Sequence, residues 1–196
     1  MTHKIWMMSL FALSVAGAAV AFAVQGDTPS AERGAPQEGT MPDMMGAKPT
    51  EHHKVLAQMS GTWTATLEFP GMEPQQGVEN NQMAMGGLWL VGDFEIADFM
   101  GAPFRGHSVM GYDSTKGKYV GMWVDSMTDR IVHSEGEYDS ATKQLVMHAE
   151  NLDPMTGEPR KEVHVTLLRG PDSRLFKMTP EGSDEPTMVI EYTRKK

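Results

Sequence analysis

Apolar and polar residues alternate along most of this chain. In TWTATLEF (62–69), Trp63, Ala65, Leu67 and Phe69 alternate with Thr62, Thr64, Thr66 and Glu68, the period of two that marks a strand with one buried face. Strand-like runs continue at 76–85, 88–98, 104–112, 118–126, 130–138, 144–151, 161–169, 173–179 and 186–194, separated by short pieces rich in glycine, proline, serine and aspartate. Connections this short join neighbouring strands antiparallel. No helix-length segment interrupts the series, which therefore predicts an up-and-down meander of about ten strands. One open sheet of that size leaves two unpaired edges, so closure into an antiparallel β-barrel is favoured.

The period changes upstream. Thr50 is placed to cap a short N-terminal helix, with Glu51 in its first turn, where a carboxylate suits the helix dipole. Val55, Leu56 and Met59 form one apolar stripe, and Gly61 ends it.

Two hairpins carry register information. Around STKG, opposing Asp113 with Lys118 brings Tyr112 to Tyr119, Met110 to Gly121 and Ser108 to Trp123. Around SATK, opposing Asp139 with Gln144 brings Tyr138 to Leu145, Gly136 to Met147 and Ser134 to Ala149. Opposed residues share a face, and a slip of one residue would reverse every face. Hydrophobicity alone would turn Val120, Met122 and Val124 inward. The cross-strand match favours the other set, Tyr119, Gly121, Trp123 and Asp125, because Val120, Met122 and Val124 share a face with Arg105 and His107, which prefer water.

The ends of the chain differ from this body. After His3 and Lys4 comes IWMMSLFALSVAGAAVAFAV, with small residues at Ala21 and Ala23 near its end. This reads as a secretory signal peptide, residues 1–23, and predicts a periplasmic or secreted protein. Residues 24–49 are rich in proline, glycine and charge with no aromatic residue, a composition too poor in apolar surface to fold. They read as a tether to a domain spanning 50–196. There is no cysteine, which excludes disulfides, thiolate metal sites and a lipidated cysteine. The formal charge of -9 becomes -10 once Lys4 leaves with the signal. That balance argues against nucleic acid and anionic membrane surfaces as partners, and no stable membrane insertion is expected after cleavage. The sequence leaves the oligomeric state open.

At this point the residues resemble a known family, the domain-of-unknown-function 1579 family of bacterial proteins. The matching stretches are HHKVLAQMSGTWTAT, MGGLWLVGDFE, MGAPFRGHSVMGYDSTKGKYVGMWVDSM, YDSATKQLVMHAE, DPMTGEPRKEV and VIEYTRK, which together span Glu51 to Lys196. The resemblance implies a lipocalin- or calycin-like barrel of about ten strands, similar in build to nitrobindin, and it implies no reaction or catalytic residue. Nitrobindin-like barrels hold haem through a histidine on a strand near the C-terminus. This chain has no histidine after His164 and offers Met178, Met188 and Tyr192 instead, so no cofactor is expected.

No nucleophile–base pair, phosphate loop or paired-carboxylate motif marks a catalytic site, and the leading expectation is non-catalytic. Ten strands enclose more room than the eight that side chains just fill, so a small apolar molecule inside the barrel is the expected ligand. Trp63, Ser108, Met110, Tyr112, Tyr119, Trp123, Asp125 and Met147 are its expected lining. An inward Asp125 needs a partner, and Arg105, Arg130 or a ligand are candidates. The 18 methionines suit an adaptable apolar cavity. Met41, Met44 and Met45, with His52 and His53 downstream, make a thin thioether group for Cu(I). The alternative function is metal binding or metal-dependent catalysis. His133 opposite Glu150 and Glu135 opposite His148 would present two imidazoles and two carboxylates to Zn²⁺ or Mn²⁺, though the same pattern suits cross-strand charge pairs on an outer face. A purely structural barrel with a filled core is the third reading.

Overall fold

The structure, a computed structural model, describes residues 46–153 and 156–196. The signal peptide, nearly all of the tether and Met41, Met44 and Met45 lie outside the described residues. Among the described residues one α-helix, α1 (Glu51–Ala57), precedes ten strands: β1 (Gly61–Glu68), β2 (Gln75–Ala84), β3 (Trp89–Phe99), β4 (Ala102–Asp113), β5 (Lys118–Asp125), β6 (Val132–Asp139), β7 (Gln144–Leu152), β8 (Pro159–Gly170), β9 (Ser173–Pro180) and β10 (Met188–Arg194). Each strand pairs antiparallel with the next, and β10 returns to β1, so the barrel closes and no strand is left as an edge.

The two hairpins anticipated from sequence have the expected registers. Tyr112 faces Tyr119, Met110 faces Gly121 and Ser108 faces Trp123. Tyr138 faces Leu145 and Gly136 faces Met147. One device builds both turns. Asp113 Oδ1 accepts from the Thr115 and Lys116 amides at 2.9 and 3.2 Å. Asp139 accepts from the Ala141 amide and the Thr142 hydroxyl, each at 2.8 Å. The left-handed residue that reverses each chain is Gly117 (φ 66°) in one turn and Lys143 (φ 57°) in the other.

Helix α1 plugs one end. Thr50 is its N-cap, and the Thr50 amide donates to Nδ1 of His53 at 2.9 Å. His53 must be neutral to accept that bond, and burial, helped by the nearby His52, lowers its pKa. Val55, Leu56 and Met59 pack on Leu90, Tyr119, Leu145, Met147 and Leu168, which sit at the strand ends below the helix. A second apolar cluster runs from the middle towards the other end: Trp63, Ala65, Leu67, Phe94, Ile96, Ile190 and Tyr192. No helix among the described residues is long and apolar enough to cross a membrane.

Candidate functional site

Among the described residues no helix plugs the end of the barrel opposite α1. There Phe69, Phe99, Phe104, Trp123, Phe176 and Met188 pack against the second cluster while remaining only partly buried. Phe104 is the hub of the aromatic group, with ring centroids 5.8 Å from Phe99, 6.3 Å from Phe94 and 6.4 Å from Trp123. The connections around this mouth carry four exposed large apolar residues, Met72, Met100, Met127 and Ile131, at 40%, 77%, 65% and 53% exposure.

Trp123 and Asp125 face the interior. Their row joins Trp123 to Ser108 and Val132, and Asp125 to Gly106. Gly106 is required where it stands, because a β-carbon there would meet the Trp123 ring at 2.2 Å. The partners of Asp125 are local rather than the arginines considered from sequence. Oδ2 accepts from Trp123 Nε1 at 3.0 Å, and Oδ1 accepts from the Met127 and Thr128 amides at 2.9 and 3.0 Å. Asp125 thus ties an inward indole to the β5–β6 connection at the rim.

The other expected lining residues divide into two groups. Ser108, Met110 and Tyr112 face inward and are half-buried. Trp63, Tyr119 and Met147 are packed inside the clusters, at 1%, 2% and 4% exposure. Tyr119 donates its hydroxyl to the His52 carbonyl at 3.1 Å, and burial, with Tyr112 and Tyr138 nearby, pushes its pKa up to about 12. His52 stacks on Tyr112 with centroids 3.7 Å apart. Both helix histidines therefore already have partners in the plug.

His133, Glu135, His148 and Glu150 lie on the outer wall, around a shared depression of about 740 Å³ spanning β5 to β8. Glu135 is held there by Lys116 and Lys118, each at 3.0 Å. Among the described residues no group of three or more histidines and carboxylates is disposed to hold a metal ion.

The alternation in the sequence did not reveal two charged groups inside the barrel. The first is Arg174, which pairs through Nη2 with Glu79 and lies over the Tyr192 and Trp63 rings at 3.7 and 4.9 Å. Burial draws its pKa down to about 10, which leaves it charged at neutral pH. Glu79 also accepts from Asn81 Nδ2 at 2.8 Å.

The second group lies along β8. Arg160, Glu162 and His164 point inward at successive alternate positions, opposite Asn151, Ala149 and Met147 of β7. Glu162 is fully buried; Arg160 holds its Oε1 and His164 Nε2 lies 3.1 Å from Oε2. Burial opposes ionisation of Glu162, but the hydrogen bonds and charges of His164 and Arg160 outweigh it and hold the pKa below 4.5. A depressed carboxylate pKa contributes stability above its ordinary value and loses that contribution as pH falls through the lower folded value. Acid denaturation followed by tryptophan fluorescence is therefore expected to include a step below about pH 4.5 that is absent in Glu162→Gln. An unchanged acid profile in that variant would show that the charge of Glu162 is not coupled to folding.

A closed, ten-stranded antiparallel β-barrel plugged at one end by a helix, with a partly open aromatic mouth at the other, defines the class of this protein. Residues 48–194 match the family described as "Protein of unknown function (DUF1579)", and the chain belongs to that family. No curated protein matches it. Among solved structures it is similar to a redesigned β-barrel, at 15% identity over 76% of this chain and 100% of the other (TM-score 0.39). It is also similar to a de novo designed fluorescence-activating β-barrel, at 16% identity over 72% and 97% of the two chains (TM-score 0.43).

Proposed function

We propose that this protein is an exported, non-catalytic barrel, periplasmic or secreted, that takes a small, largely apolar molecule into the mouth opposite α1. The observation that carries this reading is the aromatic group of Phe99, Phe104 and Trp123, which points inward yet stays partly open to solvent. The fringe of exposed Met72, Met100, Met127 and Ile131 gives an apolar molecule a surface to meet before it enters. Methionine adapts its shape to the guest, while the Trp123–Asp125 bond holds one wall fixed.

The test is a native mass spectrum of untagged protein, with titration by an environment-sensitive apolar fluorophore. An apolar adduct and saturable one-to-one binding are expected. Trp123→Ala should weaken fluorophore binding about tenfold, the effect of losing one aromatic contact of about 1.4 kcal/mol. An empty spectrum together with no saturable binding would overturn the reading in favour of a filled, structural barrel.

A further inference from the structure

The cross-strand registers place a thioether and imidazole group on the inner wall that the apolar-ligand reading does not use. Met147 faces His164, His164 faces Met178, and Met178 faces Met188, one continuous inward row across β7, β8, β9 and β10. Directly opposed residues of antiparallel strands have β-carbons about 4.5–5.5 Å apart, and a barrel's inner wall is concave, so side chains in such a row converge. Met178 and Met188 are half-buried and lie at the ends of β9 and β10 that border the open mouth, so an ion has a route to them.

The imidazole is set up as a ligand. The Glu162 carboxylate engages Nε2 of His164 at 3.1 Å, which leaves Nδ1 as the nitrogen for a ligand. This is the arrangement in which a carboxylate fixes the tautomer and orientation of a metal-ligating histidine. Here Arg160 anchors the carboxylate in turn, and the Phe176 ring, edge-on at 5.5 Å, limits rotation of the imidazole. The residues opposite His164 in the row, Met147 and Met178, bring thioethers. Soft sulfur donors with one imidazole, at low coordination number and without a hard oxygen ligand, select a soft monovalent ion over Zn²⁺, Mn²⁺ or Mg²⁺.

We propose that His164, Met178 and Met188 form a Cu(I) site on the inner wall of the barrel, with Glu162 as the positioning residue that orients the imidazole. Met147 is the fourth member of the row. Its methyl lies 3.8 Å from where a β-carbon on Gly121 would stand, so its tip leans towards β5, and it is not needed for a three-coordinate site. The site does not rest on the apolar-ligand reading, and either can fail alone.

The experiment is a titration of the untagged full chain with Cu(I), kept reduced by ascorbate, in competition with a chromophoric Cu(I) chelator. One equivalent is expected. Met178→Leu/Met188→Leu, which conserves volume, should lower affinity at least tenfold with an unchanged circular dichroism spectrum. Glu162→Gln should lower it about 10- to 100-fold, the usual effect of losing a ligand's outer partner. X-ray absorption of the loaded protein should show sulfur and nitrogen neighbours. Undiminished affinity in the folded double leucine variant would overturn the proposal. So would copper that is lost in Met41→Leu/Met44→Leu/Met45→Leu and kept in the barrel variant, since it would then belong to the methionines upstream of the helix.

Discussion

Trp63→Ala is expected to destabilise the protein by about 3–5 kcal/mol, the range for truncating a fully buried large aromatic residue. The indole is 1% exposed at the centre of the second cluster. Its Nε1 donates to the Met59 carbonyl at 2.9 Å, which ties β1 to the end of the helical plug. The guanidinium groups of Arg174 and Arg194 lie over its rings at 4.9 and 4.1 Å. Truncation therefore opens a cavity, removes one of the two bonds to the Met59 carbonyl, which keeps the 3.1 Å bond from Asn81 Nδ2, and removes two cation–π contacts together. Urea unfolding followed by circular dichroism measures the loss. Trp123→Ala serves as the comparison and should cost less, because its indole is only half-buried. Equal losses at the two sites would mean that the mouth is packed as tightly as the core.

Arg174→Met is expected to cost about 3–5 kcal/mol, because it strands Glu79 in the interior without its counter-charge. Asn81 supplies one remaining bond to that carboxylate, which is not enough to replace a full charge. The double variant Arg174→Met/Glu79→Gln should recover most of the loss, since exchanging a whole buried pair for neutral groups of similar volume is often close to neutral. With Glu79→Gln as the second single variant, the four unfolding curves, wild type included, give the coupling between the two positions directly. If the double variant is as unstable as the single one, packing of the guanidinium against Tyr192 and Trp63 carries the stabilisation and the ion pair does not.

The barrel was legible from sequence because its signals are local. TWTATLEF shows its buried face by alternation alone, and the aspartate at the head of each of the two hairpins sets the pairing that follows. Those registers were enough to place Trp123 and Asp125 inside. Strand β8 was legible as a strand but not in its facing. In RKEVHVTL the apolar set Val163, Val165 and Leu167 looks outward, while Arg160, Glu162, His164 and Thr166 look inward. The usual pattern is inverted there because the inward charges satisfy one another, and only the three-dimensional pairing reveals their partners. The Glu79–Arg174 pair was hidden for the same reason, its members lying far apart in sequence. The partners of Asp125 were illegible for a different reason: two of them are loop amides, which carry no side-chain signature.

Closure has a consequence for how the protein comes into being. The β1–β10 seam joins positions well over a hundred residues apart, as in the bond from Thr64 Oγ1 to the Thr193 carbonyl, 129 residues away. Such a seam adds heavily to contact order and slows folding. While β10 is still within the ribosome, the nine strands already delivered have two raw borders, β1 and β9, each with a row of unpaired amides and carbonyls able to bind another chain. The mature ring has no such border, so the danger of misassembly is confined to the interval before its last strand arrives. That interval is when a holding chaperone would matter to this protein.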